Sequence, residues 1–365
     1  MTATHNPLNR IRTDIQSMHA YAVQDSDGML KLDAMENPHR LPAHLQAALG
    51  QRLGALALNR YPGSRTDDLK AALATYAQMP EGYALMLGNG SDELISLLAL
   101  ACAQSGATVL APVPGFVMYA MSAQLQGLGF VGVPLTADFA LDESAMLGAI
   151  AQHRPAITFI AYPNNPTATL WPQADMQAVI DAAAQVGGIV VVDEAYQPFA
   201  SRTWLDNLRA EPQRNSHVLL MRTLSKFGLA GVRLGYLLGP QALVAEIDKV
   251  RPPYNVSVLN SEAALFALEH ADVFAAQAQE LCAQRTALVA ALQAMEQVEK
   301  VWPSEANMVL LRVPDAARTQ AAMKARGVLV KNVSALHPLL ANCLRLTVGS
   351  AEENTQMLAV LQESL

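Results

Sequence analysis

Cysteine is scarce in this chain. Cys102, Cys282 and Cys343 are its whole complement over 365 residues, and no two lie at the close spacing of a metal-binding motif. They read most simply as reduced thiols in a cytoplasmic protein. Long apolar runs are missing too. None approaches the roughly 18 residues of a membrane span, and the N-terminal stretch is polar, without the apolar core of a secretory signal. Basic charge is in deficit: 25 Lys and Arg against 32 Asp and Glu give a net charge of -7. That balance argues against nucleic acid or an anionic membrane as a partner. There is no internal repeat and no low-complexity linker. A soluble, cytoplasmic protein is the expectation.

What the chain does have is apolar mass. Hydrophobic residues make up 52% of it, and at this length one core is not expected to serve the whole. Residues 1–41 read as an N-terminal arm that contributes to a small domain, 42–255 as a large domain and 256–365 as the small C-terminal domain. Lys31–Pro38 reads as a short strand running into a turn, and Pro42–Leu58 as a helix. From Leu85 onward strand and helix candidates alternate, with Ser91 as the N-cap of a helix over Asp92–Cys102. Such alternation implies an α/β fold whose large domain holds a mostly parallel, helix-covered sheet. After Tyr254 a long helical region, about Val258–Gln297, leads to a smaller α+β portion with strands at Met308–Arg312, Val328–Lys331 and Leu344–Thr347.

The residues that carry chemistry cluster at strand ends. Thr223–Arg233 reads Thr-Leu-Ser-Lys-Phe-Gly-Leu-Ala-Gly-Val-Arg. Lys226 follows the apolar run Val218–Met221, which places it beyond the carboxyl end of a buried strand, where open α/β sheets bind ligands. A desolvated lysine near another cation, here Arg233, has a lowered pKa and acts as a nucleophile toward carbonyls. A solvated loop lysine is the alternative. Asp193 ends the apolar run Ile189–Val192, and a carboxylate buried there needs a partner; a helix N-cap is the competing role. Gly90-Ser91-Asp92 opens a helix whose free N–H groups attract phosphate, although a plain turn has the same composition.

Pro-Asn-Asn-Pro-Thr at Pro163–Thr167, Asp-Glu-Ala-Tyr at Asp193–Tyr196, Thr-Leu-Ser-Lys at Thr223–Lys226 and Gly-Val-Arg-Leu-Gly at Gly231–Gly235 occur in that order. Jointly they resemble the fold-type I enzymes that use pyridoxal 5′-phosphate (PLP). The likeness runs from about Leu32 to Gly349 and is greatest to the histidinol-phosphate aminotransferases. It implies PLP as cofactor, with Lys226 bonded to its aldehyde and then moving the proton, and Asp193 at the ring nitrogen. Asn165 and Tyr196 would face the 3′-oxygen, and Phe116 would stack on the ring. Gly90, Ser91, Asp92, Thr223, Ser225 and Arg233 would surround the phosphate, joined by Tyr61 from the other subunit of a homodimer.

For the substrate, the likeness implies Arg345 at the anionic end, with Lys331, Asn37, Tyr21 and Tyr254 as further candidates. The implied reaction is transamination between histidinol phosphate and 2-oxoglutarate. An aromatic aminotransferase, a phosphothreonine decarboxylase and, more remotely, a non-catalytic PLP-binding regulator share the same constellation. The regulators carry a DNA-binding domain ahead of this fold, where the present chain has a short arm and an acidic balance. Two departures stand out. Phe116 replaces the family's usual tyrosine, and Ala168 replaces the usual glycine, so the turn there is expected to avoid positive φ unless strained.

Overall fold

The computed structural model describes residues 6–18 and 24–365; Tyr21 lies outside them. Thirteen strands form three sheets among the described residues. They are β1 (Leu30–Lys31), β2 (Tyr83–Gly88), β3 (Thr108–Val113), β4 (Gly129–Pro134), β5 (Ile157–Ala161), β6 (Ile189–Asp193), β7 (Val218–Thr223), β8 (Gly235–Pro240), β9 (Lys300–Val301), β10 (Met308–Arg312), β11 (Val328–Leu329), β12 (Lys331–Asn332) and β13 (Cys343–Thr347).

The largest sheet has the order β2-β8-β7-β6-β5-β3-β4. Its central strands are apolar along their length because helices cover both faces, which removes the alternation of a half-exposed strand. Val190, Val191, Val192, Leu219, Leu220 and Met221 are all fully buried. Within it only β8 runs against the direction of the other strands. That reversal has a consequence for function. Gly235 at the start of β8 pairs with Thr223 at the end of β7 and with Gly88 at the end of β2. The segment leading into β8, including Arg233, therefore lies at the same edge where the parallel strands finish.

A four-stranded antiparallel sheet, β12-β13-β10-β9, holds the second core with the helices Ala271–Gln293, Ala316–Ala325 and Ala351–Ser364. The last of these starts with a capping box between Ser350 and Glu353, which satisfies two N–H groups of the first turn.

Several boundaries differ from the reading of the sequence. The strand expected over Lys31–Pro38 is confined to β1, which pairs with β11; Leu32 adds backbone bonds to Leu329 and Thr347, and beyond it side chains hold the chain, Met35 N–H donating to Thr347 Oγ1 and Asn307 Nδ2 to Met35 O. The single strand expected over Val328–Lys331 is split, because β11 pairs with β1 and β12 with β13. The long helix expected over Val258–Gln297 is two, Val258–Glu269 and Ala271–Gln293, separated at His270 with φ -118°. The first packs on the helices of the large sheet and the second on the small sheet, so the chain must turn between them. Ala168 does adopt a positive φ of 59°. Its N–H donates to Asn164 O and its carbonyl accepts from Glu305 N–H, both at 2.8 Å, which holds a conformation costing roughly 1–2 kcal/mol for a residue with a Cβ.

Candidate active site

The carboxyl ends of β5, β6 and β7 open into a cavity of about 350 Å³, within the usual range for a small-molecule site. Ten of the residues expected from the sequence line it: Ser91, Asp92, Phe116, Asn165, Asp193, Tyr196, Thr223, Ser225, Lys226 and Arg233. They come from six separate stretches of chain, and the sheet edge brings them together.

Asp193 is 4% exposed. Its Oδ2 accepts from the Tyr119 hydroxyl at 2.7 Å and its Oδ1 from Ala195 N–H at 3.0 Å. Neither donor is a cation. Burial therefore dominates, and the carboxyl pKa is pushed up to about 6 despite both hydrogen bonds. Lys226 stands in a short π-helical turn, Ser225–Leu229, that follows β7. Its Nζ donates to Ala34 O at 2.9 Å and lies 5.8 Å from the centre of the Tyr196 ring. Enclosure, and then the charges of Arg345 and Arg233, bring its pKa down to about 8. A neutral amine is thus within reach near neutrality.

At the other wall, Gly90 rather than Ser91 is the N-cap of the helix Ser91–Ala101, with φ 79° and no side-chain cap. The expected Ser91 cap is displaced because the turn must bring backbone against Arg233. A Cβ on Gly90 would sit 2.7 Å from Arg233 Nη2, and one on Gly235 2.8 Å from Ser91 N. The uncapped N–H groups at this helix start, the Ser225 hydroxyl and the Arg233 guanidinium form a set of donors suited to an anion. Arg233 Nη1 donates to Ser225 Oγ at 3.3 Å, and Nη2 pairs with Asp92 at 3.4 Å. Arg233 itself has a φ of 53°, strain of the kind held in place at functional sites. Thr223 Oγ1 accepts from Ser225 N–H at 3.1 Å.

The remaining candidates are not on the wall of this cavity. Arg345 on β13 donates through Nη1 to Asn165 Oδ1 at 2.8 Å and through Nη2 to Asp33 O at 2.7 Å. Lys331 is its direct cross-strand partner. Asn37 is engaged away from the cavity, with Nδ2 donating to Gln277 at 2.9 Å. Tyr61 and Tyr254 stack on each other at 4.5 Å on the exposed surface. Both ends of the Tyr61 loop are tied to the buried Glu262 carboxylate, by Arg52 Nε at 2.6 Å and Arg65 Nε at 2.9 Å.

Two features were not anticipated. The carbonyls of Asp33 and Ala34 meet Arg345 and Lys226, and backbone acceptors leave no mark in a sequence. Tyr119 does leave one: it follows Phe116 by three residues at the start of the helix Met118–Gln126, a spacing that turns both rings toward one face.

A buried carboxylate without a cation, a lysine of lowered pKa and a helix start with free donors fit the three polar ends of PLP, namely ring nitrogen, aldehyde and phosphate. Fold and site together define a PLP enzyme of fold type I. The class I and II aminotransferase model matches residues 27–361. The histidinol-phosphate aminotransferase of Acidovorax sp. (strain JS42) is 76% identical over 358 residues, covering 98% of this chain and 97% of its own. That of Paracidovorax citrulli (strain AAC00-1) is 74% identical over 362 residues, with 98% of each chain covered. Among solved structures, the Sinorhizobium meliloti histidinol-phosphate aminotransferase in complex with pyridoxal-5′-phosphate superposes with a TM-score of 0.84 at 23% identity, over 97% of each chain. The chain belongs to the class I and II aminotransferases, among the histidinol-phosphate aminotransferases. Its cofactor is PLP.

The buried carboxylate yields a pH-dependent prediction. A carboxyl raised from 3.8 to about 6 holds its proton longer in the folded state, so its contribution to stability falls as pH rises through that window. Asp193→Asn removes this loss. In cofactor-free protein, the stability of Asp193→Asn relative to wild type should rise by about 2 kcal/mol between pH 4 and pH 6.5, most of the full linkage at 1.36 kcal/mol per pKa unit. Urea unfolding at the two pH values measures it. A pH-independent difference would mean that burial does not raise the Asp193 pKa.

Proposed function

We propose that this cavity exchanges an amino group between histidinol phosphate and 2-oxoglutarate, with PLP held between Asp193 and the Gly90–Ser91 turn. The observation that carries the reading is the pairing, in one cavity, of Lys226 at a pKa of about 8 with a buried Asp193 whose donors are neutral. Bound there, PLP supplies the aldehyde that receives the amino group and a ring that withdraws electrons from the carbon bearing it.

The protein does the rest. Asp193 holds the protonated ring nitrogen and gains the cation that its burial demands. Asn165 has its Oδ1 committed to Arg345, which leaves its amide NH₂ for the 3′-oxygen alongside the Tyr196 hydroxyl. Phe116 packs a ring face. Ser225, Arg233 and the helix N–H groups hold the phosphate. Lys226 Nζ, unprotonated, takes the proton from the substrate carbon that carries the amino group and later returns it as the acid.

Substrate choice follows from Arg345 and Lys331. Like charges directly opposite on adjacent strands repel, and this cross-strand pair is relieved by an anion with more than one charge. A phosphate monoester supplies that, whereas phenylalanine and tyrosine offer a single carboxylate. Relatives 74–76% identical bear the histidinol-phosphate name, which supports the same preference over a phosphothreonine decarboxylase. We further propose two domains, 42–255 and 256–365, with 1–41 as an arm that joins the smaller through β1 and β11, and a homodimer in the cytoplasm. The exposed Tyr61–Tyr254 stack supports the dimer: Tyr61 is 77% exposed in the single chain, yet its loop is anchored at both ends, an arrangement suited to reaching a neighbour's phosphate site.

A coupled assay with 2-oxoglutarate should give turnover with histidinol phosphate that exceeds turnover with phenylalanine or tyrosine. Lys226→Ala should lower it at least ~100-fold, the smaller end of a general base's contribution. Faster turnover with the aromatic amino acids would overturn the substrate reading, and near-normal rates in Lys226→Ala would overturn the role of the lysine.

Assembly has its own test. Tyr61→Phe subunits mixed with Lys226→Ala subunits give dimers in which one site carries both defects and the other neither. Mixtures should therefore exceed the activity of either parent. Activity at the weighted average of the parents, or a fully active monomer by ultracentrifugation, would contradict a shared site.

A further inference from the structure

Tyr119 is fully enclosed at the back of the cavity, and its ring and its hydroxyl have different surroundings. The ring lies parallel to Phe159 of β5 at 4.5 Å with a 6° interplanar angle, and it meets Phe116 edge-on at 5.6 Å. Those contacts would serve a phenylalanine equally well. The hydroxyl has a separate partner, Asp193 Oδ2 at 2.7 Å. Since Ala195 N–H occupies Oδ1, each carboxylate oxygen has one donor from the chain. Two donors on two oxygens fix the carboxylate plane and leave its remaining lone pairs for the cavity.

We propose that Tyr119 is a positioning residue, whose hydroxyl orients the Asp193 carboxylate toward the ring nitrogen of PLP and keeps it an acceptor. The proposal rests on the reading of Asp193 given above. A hydrogen bond to an ionised acceptor is the stronger kind, and the clamp between Phe159 and Phe116 prevents the hydroxyl from swinging away. Burial and the Asp193 charge hold the Tyr119 pKa well above its ordinary value, so the tyrosine stays the donor. Without this bond the carboxylate would become more basic, and the proton shared with the ring nitrogen would move toward Asp193.

The test uses holoenzyme reconstituted with PLP carrying ¹⁵N in the ring, whose nitrogen shift reports protonation, together with the PLP dissociation constant. Tyr119→Phe keeps the ring packing and removes only the donor. It should weaken PLP binding roughly tenfold or more, the size of a hydrogen bond to a charged group, and shift the ring-nitrogen signal toward the unprotonated value at pH values where the pair holds one proton. In an Asp193→Asn background the same substitution should add no further loss. Unchanged binding and nitrogen titration in Tyr119→Phe would overturn the proposal. So would equal losses in both backgrounds, which would assign Tyr119 to packing alone. If Asp193→Asn by itself changes neither measurement, the reading of Asp193 fails and this proposal falls with it. Should Tyr119→Phe not fold, 3-fluorotyrosine at that position preserves the ring and donates more strongly. It should move the nitrogen signal further toward the protonated value, and an unmoved signal would overturn the proposal.

Discussion

A carboxylate at the end of a fully apolar strand, with neutral donors as its partners, is the constraint around which this molecule is arranged. Asp193 cannot avoid burial, because β6 lies between β5 and β7 and the faces are covered by helices. Hydrogen bonds from Tyr119 and Ala195 do not offset the desolvation, and its pKa remains raised to about 6. A cation entering from the cavity removes the penalty. In the proposed function the protonated ring of PLP is that cation, so the cost of burying Asp193 becomes binding energy for the cofactor.

The opposite wall answers with the opposite sign. The antiparallel β8 begins where β2 and β7 end, and this registry sets Arg233 against the uncapped start of the helix Ser91–Ala101. Glycines at 90 and 235 are needed because side chains there would occupy the space of the guanidinium and of Ser91 N. The strained φ of Arg233 belongs to the same packing. Lys226 lies between these walls, where enclosure and two arginines favour its neutral form. The second sheet enters through Arg345, which joins Asn165 to the segment at Asp33. In the proposed function, substrate recognition and the cofactor wall share this one arginine.

Much of this was legible in the sequence. The runs at Ile189–Val192 and Val218–Met221 announce buried parallel strands, and the residues that follow them, Asp193 and Lys226, line the cavity. Buried parallel sheets put function just beyond apolar runs, so position along the chain was informative there. Legibility declined where tertiary contacts decide. Nothing local splits Val328–Lys331 into two strands; pairing with β1 on one side and β13 on the other does. The turn at His270 has neither glycine nor proline to signal it. Gly90 displaced Ser91 as the N-cap because of Arg233, which is far away in sequence. The carbonyls of Asp33 and Ala34 could not be found by residue type at all, and Tyr119 resembled any core aromatic until its hydroxyl was seen against Asp193.

The central claim is that Lys226 and Asp193 define one PLP site, with Lys226 as the amine that bonds the cofactor. Borohydride reduction of the PLP-loaded enzyme, followed by mass mapping of its peptides, tests this most directly. The account predicts a single pyridoxyl adduct, on the peptide containing Lys226. An adduct on another lysine, or PLP that binds stoichiometrically yet leaves Lys226 unmodified after reduction, would contradict it.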